Sequence, residues 1–232
     1  MRRNKPTGSD LKILFEDNHL LVINKPAGLL TQGDRTGDRS LVDYVADYLK
    51  IRYQKPGNAF VGLVHRIDRP VSGVVLLAKT SKALTRMNKA FAEGRVTKCY
   101  YALTNQAPAQ ESAVLVNWLK KDPVKNRTKV FHKETKGAKR AELRYSMKTS
   151  HGSKHMLEVY PLTGRPHQIR AQLGAIGCPI IGDVKYGYRG KPSHEIGLHA
   201  RSLQFEHPVK RESLDVVAPL PNGSQWRPFQ PI

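Results

Sequence analysis

A polar loop between two apolar runs is the feature that most constrains how this sequence folds. The runs at residues 60–64 and 74–78 are short and rich in β-branched or aliphatic residues, so they predict two buried strands. Between them, residues 65–73 carry three cationic side chains and one carboxylate, that of Asp68. Pro70 and Gly73 indicate a turn of fixed shape. The sequence therefore predicts a hairpin that presents Asp68 on a defined loop.

Asp68 has chemistry that fits two different roles. His65, Arg66 and Arg69 flank it in sequence, and nearby positive charge favours the ionised carboxylate. An ionised aspartate on a loop between core strands is a candidate nucleophile or general base. The same pattern fits a turn in which Asp68 only accepts backbone N–H groups or pairs with a surface arginine. The loop alone leaves both roles open.

The charge of the chain indicates a polyanionic partner. Its 232 residues contain 39 Lys+Arg against 19 Asp+Glu, which gives a net charge of +20 and an isoelectric point near 10.1. Nucleic acid is the partner that best fits such an excess. The length allows one large domain or two small ones. We expect residues 1–10 to form a basic mobile tail.

Features that the sequence lacks exclude several classes of protein. No apolar run approaches the roughly 20 residues of a membrane span, and no apolar segment typical of a signal peptide follows the N-terminus. Cys99 and Cys178 lack C-x-x-C spacing, which favours buried, reduced thiols in a cytoplasmic protein. Metal-ligand spacings and nucleotide-binding glycine loops are also missing, so we expect neither a metal nor a cofactor.

Periodicity predicts two helices and a strand with two tyrosines. Ser40 is a candidate N-cap for a helix with an apolar face formed by Leu41, Tyr44, Val45, Tyr48 and Leu49. Thr80 or Ser81 caps a second helix, which ends at Gly94 and buries Leu84, Met87 and Phe91. In the strand at 98–103, Tyr100 and Tyr101 should point to opposite faces. The residues alone do not decide which of the two lines a site.

A strongly basic segment lies between two further predicted strands at 114–119 and 141–148. Residues 120–140 contain nine Lys or Arg and two acidic residues, and Pro123 and Gly137 interrupt them. We expect a long surface connection between the strands, either simply solvated or in contact with phosphate groups. Its candidate phosphate ligands are Lys120, Lys121, Lys125, Arg127 and Lys129.

A third segment predicts a strand, a donor-rich turn and a helix. The strand at 156–162 is followed by the turn at 163–167, and Pro166 suits the first turn of a helix. Ile169, Leu173 and Ile176 predict the buried stripe of this helix, which Gly177 ends. Arg170 follows Ile169 by one position and is rotated about 100° from it, at the edge of the buried face. There it can pair with a carboxylate.

Three motifs in this order resemble those of the RluA family of pseudouridine synthases. They are NKPAG at 24–28, HRIDRPVSG at 65–73 and TGRPHQIR at 163–170. The resemblance extends from about Lys12 to His207, and Val71 stands where the family most often has threonine. It implies an α+β fold with a mixed, mostly antiparallel central sheet, flanking helices and a central catalytic cleft. Residues 11–232 would then form the catalytic domain, without the S4-like module found in many relatives.

The resemblance also implies roles for individual residues. Asp68 would be the nucleophile, Tyr100 the tyrosine of the catalytic pocket, and Arg170 the ion-pair partner of Asp68. Further RNA contacts are expected in the motifs, at Arg66, Arg69, Arg165, His167 and Gln168. The reaction implied is isomerisation of uridine in structured ribosomal or transfer RNA, by attack at C1′ of the sugar or C6 of the base. We expect a monomeric cytoplasmic enzyme.

Two other functions fit the charge. A non-catalytic RNA-binding protein with the same fold explains it equally well, but gives no reason for Asp68, Tyr100 and Arg170 at matching positions. A metal-dependent nuclease usually needs several carboxylates, and acidic residues are sparse near these motifs. Activity that is insensitive to EDTA would separate a synthase from such a nuclease.

RNA affinity should fall steeply as salt is added. Each phosphate that the protein neutralises contributes a slope of about −0.7 to −0.9 in log K against log salt. Binding titrations at several KCl concentrations measure the slope, and replacing Lys125 and Lys129 by alanine should make it shallower. A slope near zero, or one that these substitutions leave unchanged, contradicts the prediction.

Overall fold

Antiparallel strands make up most of the fold in the computed structural model, which describes residues 11–230. The predicted tail at 1–10 lies outside the described residues. The described chain divides into two compact units, and each is built from two separate segments. The first unit contains residues up to Val96 together with Ser202–Pro219. The second contains Thr97–Arg201 and the residues from Leu220 onward.

The first unit contains strands β1 to β4 and helices α1 and α2. The strands are β1 (Lys12–Glu16), β2 (Leu20–Lys25), β3 (Gly62–Leu63) and β4 (Ser72–Ala78), and the helices are α1 (Leu41–Arg52) and α2 (Ser81–Ala92). Strand β2 pairs antiparallel with β1 and with β4. The second pairing sets Lys25 opposite Gly73, so the end of β2 lies beside the Asp68 loop.

The core of the first unit follows from the predicted apolar faces. Leu20, Val22, Val74 and Leu76 of β2 and β4 pack with Met87 of α2 in one buried cluster. Local capping fixes both helix starts, as predicted from the sequence. Asp43 closes a capping box with Ser40, and the Thr80 hydroxyl accepts the N–H of Ala83. Gly94, at φ +71°, provides the left-handed residue after α2.

The second unit contains strands β5 to β9 and helix α3. The strands are β5 (Thr97–Thr104), β6 (Ser112–Asp122), β7 (Arg127–Phe131), β8 (Lys139–His151) and β9 (Lys154–Pro161), and the helix is α3 (Gln168–Ala175). The strand order is β5-β9-β8-β6-β7, with antiparallel neighbours. Cys99, Tyr101 and Leu103 pack with Trp226 and Phe229 in its core. The predicted mostly antiparallel sheet with helices is confirmed.

One strand belongs to both units along the chain. Strand β10 (Leu198–Glu206) begins in the second unit and ends in the first, where it pairs antiparallel with β11 (Ser213–Val217). Leu203, Phe205 and Val216 from these strands join the core cluster of the first unit. No helix within residues 11–230 is long and apolar enough to cross a membrane.

Two strand predictions were wrong in extent. The run at 60–64 forms a strand only at Gly62–Leu63, because its pairing with β4 is limited to Ala78 and Leu77, and Phe60 is exposed. The basic segment is not simply a surface connection, because it contains β7 and the end of β6. Thr128 and Val130 alternate with exposed cations there, and the high charge hides this period-two pattern.

Helix α3 starts later and ends earlier than the sequence predicts, and it buries residues outside the predicted stripe. It begins at Gln168, because His167 has a left-handed φ of +53°, so Pro166 lies before the helix. The helix ends at Ala175, and Ile176 is exposed instead of completing the buried stripe. Gly177 follows at φ +79° as expected. Arg170 itself is buried, deeper than the predicted edge of the face.

Gly174→Ala should destabilise the protein, although alanine favours a helix over glycine by about 0.5–1 kcal/mol. A Cβ atom at this position would lie 2.6 Å from the carbonyl oxygen of Tyr186, a backbone atom that cannot rotate away. We expect a net loss of about 1–3 kcal/mol in the free energy of unfolding, measured by urea denaturation. Gly57→Ala is the control, since its Cβ would meet nothing within 4 Å. Equal stability of the two variants contradicts the close approach.

Candidate active site

The loop that carries Asp68 is clamped by the segment after β2. The Thr31 hydroxyl donates to the carbonyl of Ile67 at 2.8 Å, immediately before Asp68. Immediately after it, the carbonyl of Arg69 accepts the N–H of Gly28 at 2.7 Å, and Arg69 Nε donates back to the Gly28 carbonyl at 3.0 Å. The backbone is therefore fixed on both sides of Asp68, which is half-buried.

The cationic side chains of the loop have different surroundings. Arg66 is exposed beside Asp68, whereas the Arg69 guanidinium is 2.9 Å from an oxygen of Asp38. His65 Nε2 accepts the N–H of Leu76 at 3.0 Å. Its ring also stacks on Phe91, with the ring centroids 5.0 Å apart. Arg69 and His65 thus hold the loop in place, while Arg66 faces solvent.

Lys25 of the NKPAG motif is a functional candidate that sequence reasoning missed. Its side chain is completely buried, and Nζ donates to the carbonyl oxygens of Pro26 (3.0 Å), Leu29 (2.7 Å) and Arg69 (3.3 Å). Burial lowers the pKa of Lys25 to about 7; the charge of Asp68 raises it, and that of Arg69 lowers it. The sequence signal that could have indicated Lys25 is its place at the end of a run of apolar strand residues.

Arg170 forms a buried bidentate ion pair in the second unit. Its Nε and Nη2 donate to Oδ2 and Oδ1 of Asp183 at 2.7 and 2.9 Å, and both side chains are almost fully buried. Arg170 therefore pairs with a carboxylate, as expected, but its partner Asp183 was not identified from the sequence. The pairing of Arg170 with Asp68 stays a prediction.

The turn before α3 is organised by Gln168. Its Oε1 accepts the Thr163 hydroxyl at 2.7 Å and the N–H of Arg165 at 2.9 Å. Its Nε2 donates to the carbonyl of Glu142 at 3.0 Å. Gln168 is buried and its amide is engaged within the protein, whereas Arg165 is half-buried with Nε donating to the carbonyl of Arg140.

The two tyrosines of β5 point to opposite faces, as alternation predicts. Tyr101 is buried in the core cluster, with Lys148 Nζ at 5.5 Å and Arg201 Cζ at 5.6 Å from its ring centroid. Tyr100 is half-buried and pairs in register with Val159. Tyr100 is therefore the more accessible of the two.

The cations of the β6–β7 hairpin face in two directions. Lys120 lies opposite Lys129 in the ladder, and both are exposed, as are Lys125 and Arg127. Lys121 is the next residue of β6, so its side chain lies on the other face, where it is half-buried. Its Nζ is bonded to the side chain of Asn126 and lies 3.5 Å from Nε2 of His167. Four of the five candidate phosphate ligands of this hairpin are therefore on the surface.

The fold and motifs together define a class of RNA-modifying isomerase. The family model for RNA pseudouridylate synthases matches residues 19–175, a span that includes the Asp68 loop and Arg170. The chain therefore belongs to the RNA pseudouridylate synthase family, and the resemblance found in its motifs is confirmed. As an enzyme it is an RNA pseudouridine synthase.

Individual relatives extend the likeness over most of the chain. Ribosomal large subunit pseudouridine synthase C of Buchnera aphidicola subsp. Acyrthosiphon pisum is 34% identical, over 90% of this chain and 67% of that protein. Ribosomal large subunit pseudouridine synthase D of Zymomonas mobilis is 33% identical, over 96% of this chain and 73% of that protein. The solved structure of human RNA pseudouridylate synthase domain containing 4 matches with a TM-score of 0.76 at 26% identity, over 91% of this chain and 89% of that one. The chain spans about two thirds of the length of the synthase C relatives.

Lys25→Met should change how stability depends on pH. Lys25 has a pKa of about 7 in the folded protein against an ordinary value of 10.5, so between these values the unfolded chain binds a proton that the folded chain lacks. Stability contributed by this group therefore rises with pH across that window. We predict that the free energy of unfolding of the wild type, relative to Lys25→Met, increases from about pH 7 to about pH 10.

Urea unfolding of both proteins across this pH range measures the difference. Lys50→Met is the matched control, because Lys50 is exposed on α1 and should give a difference that does not vary in this way. A wild-type-minus-Lys25→Met difference that stays constant with pH would show that Lys25 is protonated throughout.

Proposed function

We propose that this chain converts uridine in ribosomal RNA to pseudouridine with Asp68 as the nucleophile. The observation that supports this most directly is the clamped Asp68 loop, in which hydrogen bonds fix Ile67 and Arg69 on either side of a half-buried carboxylate. A nucleophile must be held in one orientation to react efficiently. Four hydrogen bonds that involve Lys25, Gly28 and Thr31 hold the loop in this way.

The choice of ribosomal RNA comes from the relatives. The synthases C and D are named as acting on the ribosomal large subunit, and they match this chain over at least 90% of its length. Transfer RNA remains the second candidate substrate. Both are structured RNAs, in which a stacked uridine must leave its helix before an enzyme can reach it.

The proposed reaction begins with extrusion of the uridine. Arg66, which is exposed and lies two residues before Asp68 in sequence, then fills the vacated space in the RNA. Tyr100 stacks on the extruded uracil, an interaction of about 1–3 kcal/mol. Asp68 then attacks C1′ of the sugar or C6 of the base. The N1–C1′ bond breaks, the uracil turns, and a C5–C1′ bond forms, while the bond to Asp68 breaks and releases the carboxylate. The proton on C5 is lost to solvent and N1 takes one up, so the product is an isomer of the substrate.

Arg170 is proposed to pair with Asp68 and to orient it for attack. A guanidinium has five N–H donors, and Asp183 takes two of them in fixed geometry, so one arginine can serve two carboxylates. Asp183 also compensates the cost of burying the guanidinium. Because the nucleophile is a carboxylate, the proposed chemistry requires neither a metal ion nor a cofactor.

The RNA-binding surface is proposed to centre on the exposed cations. In the first unit these are Arg66 and Arg69, and in the second they are Lys120, Lys125, Arg127 and Lys129. Arg165 is half-buried and remains a candidate contact. Gln168 is not included, because its amide already holds the turn before α3. We further infer a monomeric, cytoplasmic enzyme, in line with the buried thiols Cys99 and Cys178.

Asp68→Asn should abolish isomerisation and leave RNA binding unchanged. The amide is nearly isosteric but is not a nucleophile, so we expect single-turnover rates to fall by at least about three orders of magnitude. Pseudouridine mapping in large-subunit ribosomal RNA and in transfer RNA, in cells with and without the gene, identifies the substrate. The same mapping with the Asp68→Asn gene tests the nucleophile.

Asp38→Asn serves as the control carboxylate, because Asp38 contacts Arg69 at the surface but is not assigned a chemical step. It should retain activity. Turnover near the wild-type rate in Asp68→Asn would exclude Asp68 as the nucleophile. RNA binding without any gene-dependent pseudouridine would support the alternative of a non-catalytic RNA-binding protein.

A further inference from the structure

We propose that Tyr186 is a positioning residue that couples the basic β6–β7 hairpin to Arg170, so that RNA held by the hairpin fixes the orientation of the catalytic arginine. This inference rests on the proposed function. Tyr186 lies in the 3-10 helix Val184–Tyr186, in the same turn as Asp183, and its side chain is buried.

The hydroxyl of Tyr186 joins two elements through one oxygen atom. It accepts the backbone N–H of Thr128 in β7 at 2.8 Å, and it lies 2.7 Å from Nδ1 of His167. Lys121 Nζ, which can only donate, is 3.5 Å from the other ring nitrogen of His167. This arrangement favours the tautomer with the proton on Nδ1, which then donates to Tyr186. Strand β7 and the start of α3 are thus tied to the same atom.

A second contact ties β7 to the beginning of α3. The Thr128 hydroxyl donates to the carbonyl of Pro166 at 2.9 Å. The next residue, His167, has the left-handed φ of +53°, a conformation that residues with a Cβ seldom adopt without support from their surroundings. Its carbonyl accepts the N–H of Ala171, the first turn of the helix that carries Arg170. The direction of α3 therefore depends on contacts made by β7.

The ring of Tyr186 lies against Arg170 and against the hairpin. The Cζ atoms of Arg170 and Arg127 are 5.1 and 5.6 Å from its centroid. The backbone of the same turn is packed on α3, because Gly174 leaves only 2.6 Å between an added Cβ and the Tyr186 carbonyl oxygen. One side chain thus contacts the buried guanidinium and an exposed cation of the RNA-binding hairpin.

The coupling has a simple physical form. A basic β-hairpin without its polyanion is subject to repulsion among its own cations, and phosphate contacts remove that repulsion. Ordering of β7 is then transmitted by the Thr128 bonds to the Tyr186 hydroxyl and to the Pro166 carbonyl. Arg170 is held by the turn that contains Tyr186 and Asp183, so its geometry improves when the hairpin is occupied.

Tyr186→Phe tests the link with the smallest change available. It keeps the ring that contacts Arg170 and Arg127 and removes only the hydroxyl. At saturating RNA we expect the single-turnover rate to fall about tenfold, with the Kd for RNA unchanged within about twofold. Tyr188→Phe is the matched control, a half-buried tyrosine two residues away, and should keep the wild-type rate. An unchanged rate in Tyr186→Phe overturns the proposal.

A double-mutant cycle separates coupling from a loss of stability. Lys125→Ala with Lys129→Ala removes two exposed cations of the hairpin. This pair should lower the saturated rate in the wild type and have less effect in the Tyr186→Phe background. Tyr186→Phe should likewise add little to Arg170→Lys, because it acts through Arg170. Effects that multiply independently in both backgrounds overturn the proposal.

A second variant serves if Tyr186→Phe does not fold. Thr128→Val is nearly isosteric and removes only the hydroxyl bond to Pro166, and it should also lower the saturated rate without weakening RNA binding. A wild-type rate in Thr128→Val overturns the coupling through β7. Failure of the proposed function can be told apart from failure of this inference. The former appears as turnover in Asp68→Asn, and this result does not depend on the Tyr186 and Thr128 variants.

Discussion

The first unit depends on a lysine buried beside a carboxylate. Lys25 Nζ ties the segment that follows β2 to the carbonyl of Arg69, next to Asp68, and the register of β2 on β4 brings it there. A buried ammonium group is unstable unless acceptors or an anion compensate for lost solvent. Three carbonyl oxygens and the charge of Asp68 supply part of that compensation, and burial still lowers the pKa of Lys25 to about 7. The loop therefore supplies an acceptor that the buried Lys25 needs, and Lys25 in turn holds the backbone of the loop at Arg69.

The second unit also buries a cationic side chain, in this case an arginine. Arg170 is buried with Asp183, and such a pair is favourable only when its geometry is good and its remaining donors and acceptors are satisfied. The bidentate contact and the ring of Tyr186 provide much of this environment. Burial removes the many orientations that a surface arginine samples. In both units, groups proposed to act on RNA are held by hydrogen bonds or ion pairs within the protein.

Local patterns predicted local structure well, and tertiary partners poorly. Ser40 and Thr80 marked helix starts because caps act within a few residues, and alternation separated Tyr100 from Tyr101. Asp183 was missed as the partner of Arg170 because the pair forms between a helix and a later turn, which no periodicity encodes. Strand β7 was hidden because its cations mask its alternation. Burial of Lys25 runs against the composition of protein interiors.

The interleaved course of the chain has a consequence for synthesis on the ribosome. Leu203, Phe205 and Val216 belong to the core that contains β2 and β4, and Trp226 and Phe229 belong to the core that contains β5. Neither core can be completed until translation has passed these late residues, although the Asp68 loop is made in the first third of the chain. Both units must therefore acquire their final packing almost together, after emergence of the last strands.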